Sequence, residues 1–190
     1  MMRFLLSVAL VFAASVPAFA QDMPLSQILI DGEGWKKGEK LTVEERKELE
    51  KWKTSTGLAD LSAFALSPDH SVIYLAAEGR MYVGAAQVHG PEGSIFGREN
   101  EYCPLRIRRG DRTGGCTALC VDRDGRVYAA TPLGVQVFDP TGRLCGVTAA
   151  PQGRVEYMDF EGDKLTLWIG DTKHMRKLNT RAPEEPRKKQ

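Results

Sequence analysis

The stretch that most constrains this chain runs from Cys116 to Arg143, CTALCVDRDGRVYAATPLGVQVFDPTGR. Three short apolar runs, Ala118–Val121, Arg126–Ala130 and Val135–Phe138, alternate with Asp122-Arg123-Asp124-Gly125, Pro132-Leu133-Gly134 and Asp139-Pro140-Thr141-Gly142. Short runs rich in β-formers between such clusters read as strands. The turns are sound because Gly accepts positive φ and Asp side chains satisfy local backbone donors. The result is an antiparallel meander. It cannot bury both faces alone and calls for a neighbour on either side.

The flanking sequence supplies similar units. Ser62–Val88 gives strands at Ala63–Leu66, Ser71–Ala76 and Arg80–Val88 around a Ser67-Pro68-Asp69-His70 turn, with a fourth at Glu101–Ile107 beyond Gly90-Pro91-Glu92-Gly93. The central unit gains a fourth strand at Arg143–Ala149. A third unit holds Val155–Phe160, a Glu161-Gly162-Asp163 turn, Lys164–Ile169 and Lys173–Leu178. The turn Asp recurs at Asp69, Asp124 and Asp163, spacings that bracket the roughly 40–50-residue period of propeller blades. Each such blade is a four-stranded antiparallel sheet stacked radially on its neighbours. The expected fold is therefore all-β: a partial β-propeller of about three blades with one short N-terminal surface helix. An open β-sandwich or a lone twisted sheet is the runner-up.

Residues 1–20 read as a signal peptide: basic Met1-Met2-Arg3, apolar Phe4–Ala14, and an A-x-A site at Ala18-Phe19-Ala20. The rival is an uncleaved anchor, but the run is short of the ~20 residues a span needs, and Ser7, Ser15 and Pro17 interrupt it. Cleavage after Ala20 implies export, to the periplasm or beyond, with no transmembrane span left. Residues 21–57 read as an N-terminal arm and helix. Within them Pro24–Trp35 is a strand or ordered arm, and Lys36–Lys40 a polar linker. Thr42 and Glu45 form a capping box for a helix to about Lys53, with Val43, Leu49 and Trp52 as a thin apolar stripe. Residues 58–180 are the partial propeller. The Pro-rich, charged 181–190 read as a disordered tail.

With 26 basic and 25 acidic residues, the net charge is +1 and the pI about 7.7. That leaves no strongly basic face, so no nucleic acid is expected as a partner. The four cysteines, Cys103, Cys116, Cys120 and Cys145, allow three complete pairings. On one extended strand Cys116 and Cys120 would lie about 13 Å apart, too far for a bridge. Buried or half-buried free thiols are the simpler reading. C-x3-C without a second Cys/His pair does not make a zinc site, and His70, His89 and His174 stand apart.

Three stretches resemble the senescence marker protein/gluconolactonase/luciferin-regenerating enzyme (regucalcin-like) family of six-bladed propellers. They are Ala65–Tyr74, the run from Ala118 through Arg143, and Leu165–Ile169 followed by Met175–Leu178. The match corresponds to the C-terminal half of that fold, truncated and degenerate, and Pro24–Trp35 resembles its opening segment. The implied architecture is the calcium-dependent phosphotriesterase/gluconolactonase type. The resemblance implies a lactonase-type hydrolase with one axial divalent metal, calcium or zinc, able to polarise a lactone carbonyl and activate a bound water. Its ligands would be an early Glu, an Asn and an Asp. Here the Asn position falls on Ser62 and the Asp position on Thr117, and the early Glu has no counterpart. Two alcohols bring no negative charge to a hard divalent cation. Length points the same way: at about 40–50 residues per blade, six blades need more than about 240 residues, against 190 here.

Other constellations are weaker. His70 beside Asp69 and Ser71 is turn chemistry. Arg106, Arg108, Arg109 and Arg112 with Asp111 form a solvated loop, with anion binding as the rarer reading. Trp168 is core before it is a sugar-stacking platform; Trp35 and Trp52 are scattered. Asp122 and Asp124 lack the downstream Glu of a calcium loop. The chain thus reads as an exported gluconolactonase-like propeller protein that has lost its metal site, a binding or assembly module. No catalytic, cofactor-binding or metal residues are assigned and no cofactor is expected. A homo-oligomer or partner would dock through the open blade edges. The alternative is a metal-dependent lactonase or ester hydrolase with a rearranged site, using calcium or zinc and drawing on Asp60, Glu78 or Asp111.

Overall fold

A computed structural model describes residues 24–40, 42–44, 47, 61–89 and 94–184. The signal segment, most of the expected helix, Trp52, Asp60, the Gly90–Gly93 turn and residues 185–190 lie outside the described residues.

Three four-stranded antiparallel sheets succeed one another along the chain. The first is β2 (Ala63–Leu66), β3 (Val72–Ala76), β4 (Tyr82–His89) and β5 (Ser94–Pro104). The second is β6 (Ala118–Val121), β7 (Val127–Thr131), β8 (Gly134–Phe138) and β9 (Leu144–Thr148). The third is β10 (Val155–Glu161), β11 (Lys164–Ile169), β12 (Thr172–Lys177) and, in its fourth place, β1 (Lys36–Lys40). First strands meet at the centre: β6 packs on β2 on one side and on β10 on the other. This is the radial stacking of propeller blades, and the central sheet is covered on both faces. All residues of β6 and β8 are accordingly buried.

Strand alternation sorts the side chains into separate cores. Ala63, Tyr74, Ala76 and Val83 of the first blade meet Leu119, Val121, Val127 and Phe138 of the second. Tyr128, Val135 and Val137 turn the other way, onto Met158, Phe160, Leu165 and Leu167 of the third. Tyr128 and Phe160 pack edge to face at 5.0 Å, a favoured aromatic geometry. The outward face of the first blade carries Ile73, Leu75 and Ala86, with Phe64, Leu66 and Val88 packed against them. That of the third carries Thr166 and Trp168. Incomplete rings are expected to bare such faces, yet Leu75 is 5% and Trp168 8% exposed. Phe64, Leu66 and Val88 pack around Leu75, while Tyr157 stands edge-on to Trp168 and the Lys173 ammonium lies over its ring.

The Asp-containing turns work as the sequence implies, in a shared form. In Asp122-Arg123-Asp124-Gly125-Arg126, Asp122 Oδ1 accepts from the amides of Asp124 and Arg126 at 3.0 and 2.9 Å. In Asp139-Pro140-Thr141-Gly142-Arg143, Asp139 Oδ1 accepts from Thr141 and Arg143 at 2.8 and 3.0 Å. The glycines sit at φ 80° and 83°, where a side chain is strained. Gly142 also lets its turn touch the first blade: a Cβ there would lie 2.5 Å from the Tyr102 carbonyl oxygen. In the first blade the working Asp is Asp69, and in the second it is Asp122 rather than Asp124.

Four expectations are corrected. Lys36–Lys40 is not a linker but strand β1, antiparallel to β12 with Lys36 opposite Met175 and Lys40 opposite Thr172. Its side chains are almost all exposed, so backbone pairing is its main tie, with an ion pair from Lys40 to Asp171 at 3.0 Å beside it, and no alternation marks it. The arm before it forms one helical turn, α1 (Leu25–Ile28), and a bridge from Leu29 to Leu178. The propeller therefore draws on residues ahead of 58. The start of the tail is docked as well: Ala182 N donates to Gly162 O, and Arg123 N to Arg181 O. Finally, β5 begins at Ser94 and ends at Pro104, before the expected Ile107, with one more bond beyond it, from Leu105 N to Met81 O at 2.9 Å.

Candidate functional site

Loops from all three blades converge on one cavity of about 610 Å³. Glu78 reaches it from the turn after β3, and Gly115 and Thr117 from the approach to β6. Thr131–Gly134 form its wall at the β7–β8 turn, and Ala149–Val155 at the link into β10. Arg108 closes the remaining side. The volume is in the range of small-molecule sites, which span about 300–1,000 Å³.

Backbone clamps set its polar side chains. Gln136, fully buried on β8, uses its amide like a strand partner. Its Oε1 accepts from Arg106 N and its Nε2 donates to Arg106 O, both at 2.8 Å. That pins the chain just ahead of Arg108, whose guanidinium donates to Pro132 O at 2.6 Å. Arg154, at the head of the third blade, spans the cavity to Glu78 of the first: Nη1 lies 2.9 Å from Oε2, and Nη2 pairs with Oε1. These hydrogen bonds hold the Glu78 carboxyl below its ordinary pKa, and the same bonds raise that of Arg154.

The two positions aligned with metal ligands are neighbours. Ser62 Oγ donates to Cys116 O at 2.6 Å, with Ala76 O at 3.2 Å. Thr117, next along, lines the cavity and donates its amide to Ala130 O at 3.0 Å. A divalent metal of the kind the resemblance implies does not fit this donor set. The Ser62 proton is spent on main-chain carbonyls. The one carboxylate among the described lining residues is paired with Arg154, and Arg108 adds a second cation. Among the described residues no three His, Cys, Asp or Glu side chains come together. Of the substitutes named for a rearranged site, Glu78 lines the cavity, Asp111 sits on an exposed loop with Arg106, Arg109 and Arg112, and Asp60 lies outside the described residues.

The remaining candidates take structural places. Asp69 accepts from the hydroxyls of Ser67 and Ser71 at 2.6 and 2.8 Å, which holds its carboxyl down at about 2. His70 adopts φ 59° in that turn, and its amide donates to Ser67 O at 2.9 Å. Trp35 donates its indole N–H to Ala149 O at 2.6 Å. All four cysteines are free, Cys145 half-buried and the others buried. Burial pushes the Cys103 and Cys116 thiols up to about 12, so neither supplies a thiolate nucleophile at neutral pH. Sequence reasoning missed Arg154 and Gln136. Arg154 had one signal, its place in the Pro151-Gln152-Gly153-Arg154 turn that feeds the innermost strand of a blade; Gln136 had none.

No protein-family model and no curated protein matches the chain. Solved structures do. A gluconolactonase from Xanthomonas campestris is 25% identical, with a TM-score of 0.50 over 61% of this chain and 37% of its own. The calcium-binding protein regucalcin from Agrobacterium tumefaciens is 15% identical, with a TM-score of 0.55 over 65% of this chain and 48% of its own. A luciferin-regenerating enzyme is 14% identical, with a TM-score of 0.51 over 65% of this chain and 47% of its own. The chain thus spans less than half the length of each of these three. Its described residues form a three-blade arc of the propeller shared by gluconolactonase, regucalcin and luciferin-regenerating enzyme.

Proposed function

We propose that this chain is an exported propeller module of the gluconolactonase type that binds a small molecule without hydrolysing it and holds no metal. One observation carries the reading: residues of all three blades line one cavity, while the positions that the resemblance sets at metal ligands are alcohols and the one carboxylate among the described lining residues is tied to Arg154. Without an activated water or a Lewis acid, lactone hydrolysis has no driver here. Export rests on the pattern of residues 1–20. Titration of the purified chain with calcium and zinc, with a parallel assay on aldonolactones, tests the reading. The expected result is neither metal uptake nor turnover. Hydrolysis that a chelator abolishes would overturn it.

Glu78 in the cavity favours one second reading, a lactonase or ester hydrolase with a rearranged calcium or zinc site. Under that reading Glu78→Gln abolishes a metal-dependent turnover that the wild type possesses.

A further inference from the structure

Two guanidinium groups, Arg108 and Arg154, and one carboxylate, Glu78, stand among the described residues of the cavity lining, and the charge of Glu156 also acts on Arg154. Arg108 commits one group of N–H donors to Pro132 O, of the five that a guanidinium offers. Arg154 is engaged by Glu78 through two contacts, but the pair is open to solvent, with side-chain exposures of 61% and 47%. Ion pairs so exposed contribute little to stability, so replacing Glu78 with another carboxylate costs the protein little. Thr117 and Gln152 add uncharged polar groups to the wall, and Leu133, Pro132, Pro151 and Val155 an apolar one.

We propose that the cavity takes a small organic carboxylate, gripped by the forks of Arg154 and Arg108, and that Glu78 is an internal competitor for Arg154. The inference rests on the binding-module reading above and gives that site its ligand class. Guanidinium geometry favours it, because the planar fork matches a carboxylate bidentately. The cavity's size admits a ligand of several carbons, with hydroxyls directed to Thr117 and Gln152 and carbons against the prolines. An internal competitor has a distinct signature. Removing it strengthens binding, whereas removing the cation it guards weakens binding.

The test is calorimetric titration of the full chain with lactate, malate and gluconate, with glucose as a neutral control and inorganic phosphate as a tetrahedral anion. The chain is compared with Glu78→Gln, Arg154→Gln and Arg108→Gln, each checked for folding by its melting curve. Carboxylate binding is expected to weaken at least about 10-fold in Arg154→Gln and to tighten about 3- to 10-fold in Glu78→Gln. Arg108→Gln should fall in the same direction as Arg154→Gln. Glucose should bind at least about 10-fold more weakly than the best carboxylate, and phosphate, which the same forks can grip, should follow the carboxylates in its response to the three variants. Equal weakening in Glu78→Gln and Arg154→Gln would overturn the competitor role, as would no binding of any carboxylate. Glucose binding indifferent to all three variants would overturn the anion assignment yet leave the module reading intact. Metal-dependent lactone turnover would instead overturn that underlying reading.

Discussion

Asp122→Asn is the most informative single change for the fold. The carboxylate is fully buried and serves five donors. Oδ1 holds the amides of Asp124 and Arg126, and Oδ2 holds Arg126 Nη1 at 2.8 Å, Tyr128 Oη at 3.0 Å and Thr180 Oγ1 at 2.9 Å. In asparagine, Oδ1 can keep the turn amides, while an NH2 group replaces Oδ2 in front of a guanidinium. The Tyr and Thr hydroxyls can rotate to accept, but the guanidinium cannot. Breaking a buried ion pair from one side costs about 3–5 kcal/mol. Arg126 retains Asp124 Oδ2 at 2.8 Å, which argues for the low end, about 3 kcal/mol. For a chain of this size that lowers Tm by roughly 6–12 °C. Denaturant unfolding followed by circular dichroism, with the m-value unchanged, measures it. Asp124→Asn, whose side chain is 43% exposed, is the control at about 0–1 kcal/mol. If the two variants differ by less than about 1 kcal/mol, Asp122 is not the anchor described here.

Gly134→Ala would place a methyl 2.4 Å from Thr148 O at φ 120°. It should cost several kcal/mol, on the order of 3 or more, and broaden the thermal transition of the second blade. His70→Gly relieves the positive φ and should raise stability by about 0.5–1 kcal/mol in the same unfolding assay; a loss would mean that the imidazole makes a contribution of its own. Asp69 has a folded pKa of about 2 against 3.8. Its contribution is therefore complete above pH 3.8 and lost as pH falls toward 2; discounted for exposure it is about 1 kcal/mol or less. Asp69→Asn should flatten the acid limb of the stability curve over that window. Glu78, lowered below 4.5 by the hydrogen bonds of Arg154, releases Arg154 only below pH 4.5. Binding of a strong anion such as sulfate should therefore tighten as the pH drops through that point, and stay flat there in Glu78→Gln.

The blades were legible because they are built from local rules. Ala63–Leu66, Ala118–Val121 and Lys164–Ile169 are strands with the boundaries read from sequence, since each is an apolar run closed by Gly or Asp turn chemistry. Strand β1 was illegible for the opposite reason. Lys-Lys-Gly-Glu-Lys has no buried face, and its conformation is imposed by the carbonyls and amides of β12. At the cavity, Thr117 could be placed by its position ahead of a recognisable strand. Arg154 and Glu78 are 76 residues apart, and only the curvature of the arc brings them face to face. Asp122 lay in a turn that was identified, but its second oxygen serves Thr180 from the far end of the fold, which no local pattern encodes.

Because β1 completes the blade that β10–β12 begin, it leaves the ribosome two whole blades before the strand it pairs with. Until then an edge-forming segment is left waiting, and the long loop that must close makes its docking slow. The lysines that line it are suited to that interval, since charged edges resist pairing with strangers. Pairing β1 with β12 in this way also means that tension on the chain just before the one or just after the other would load the same sheet.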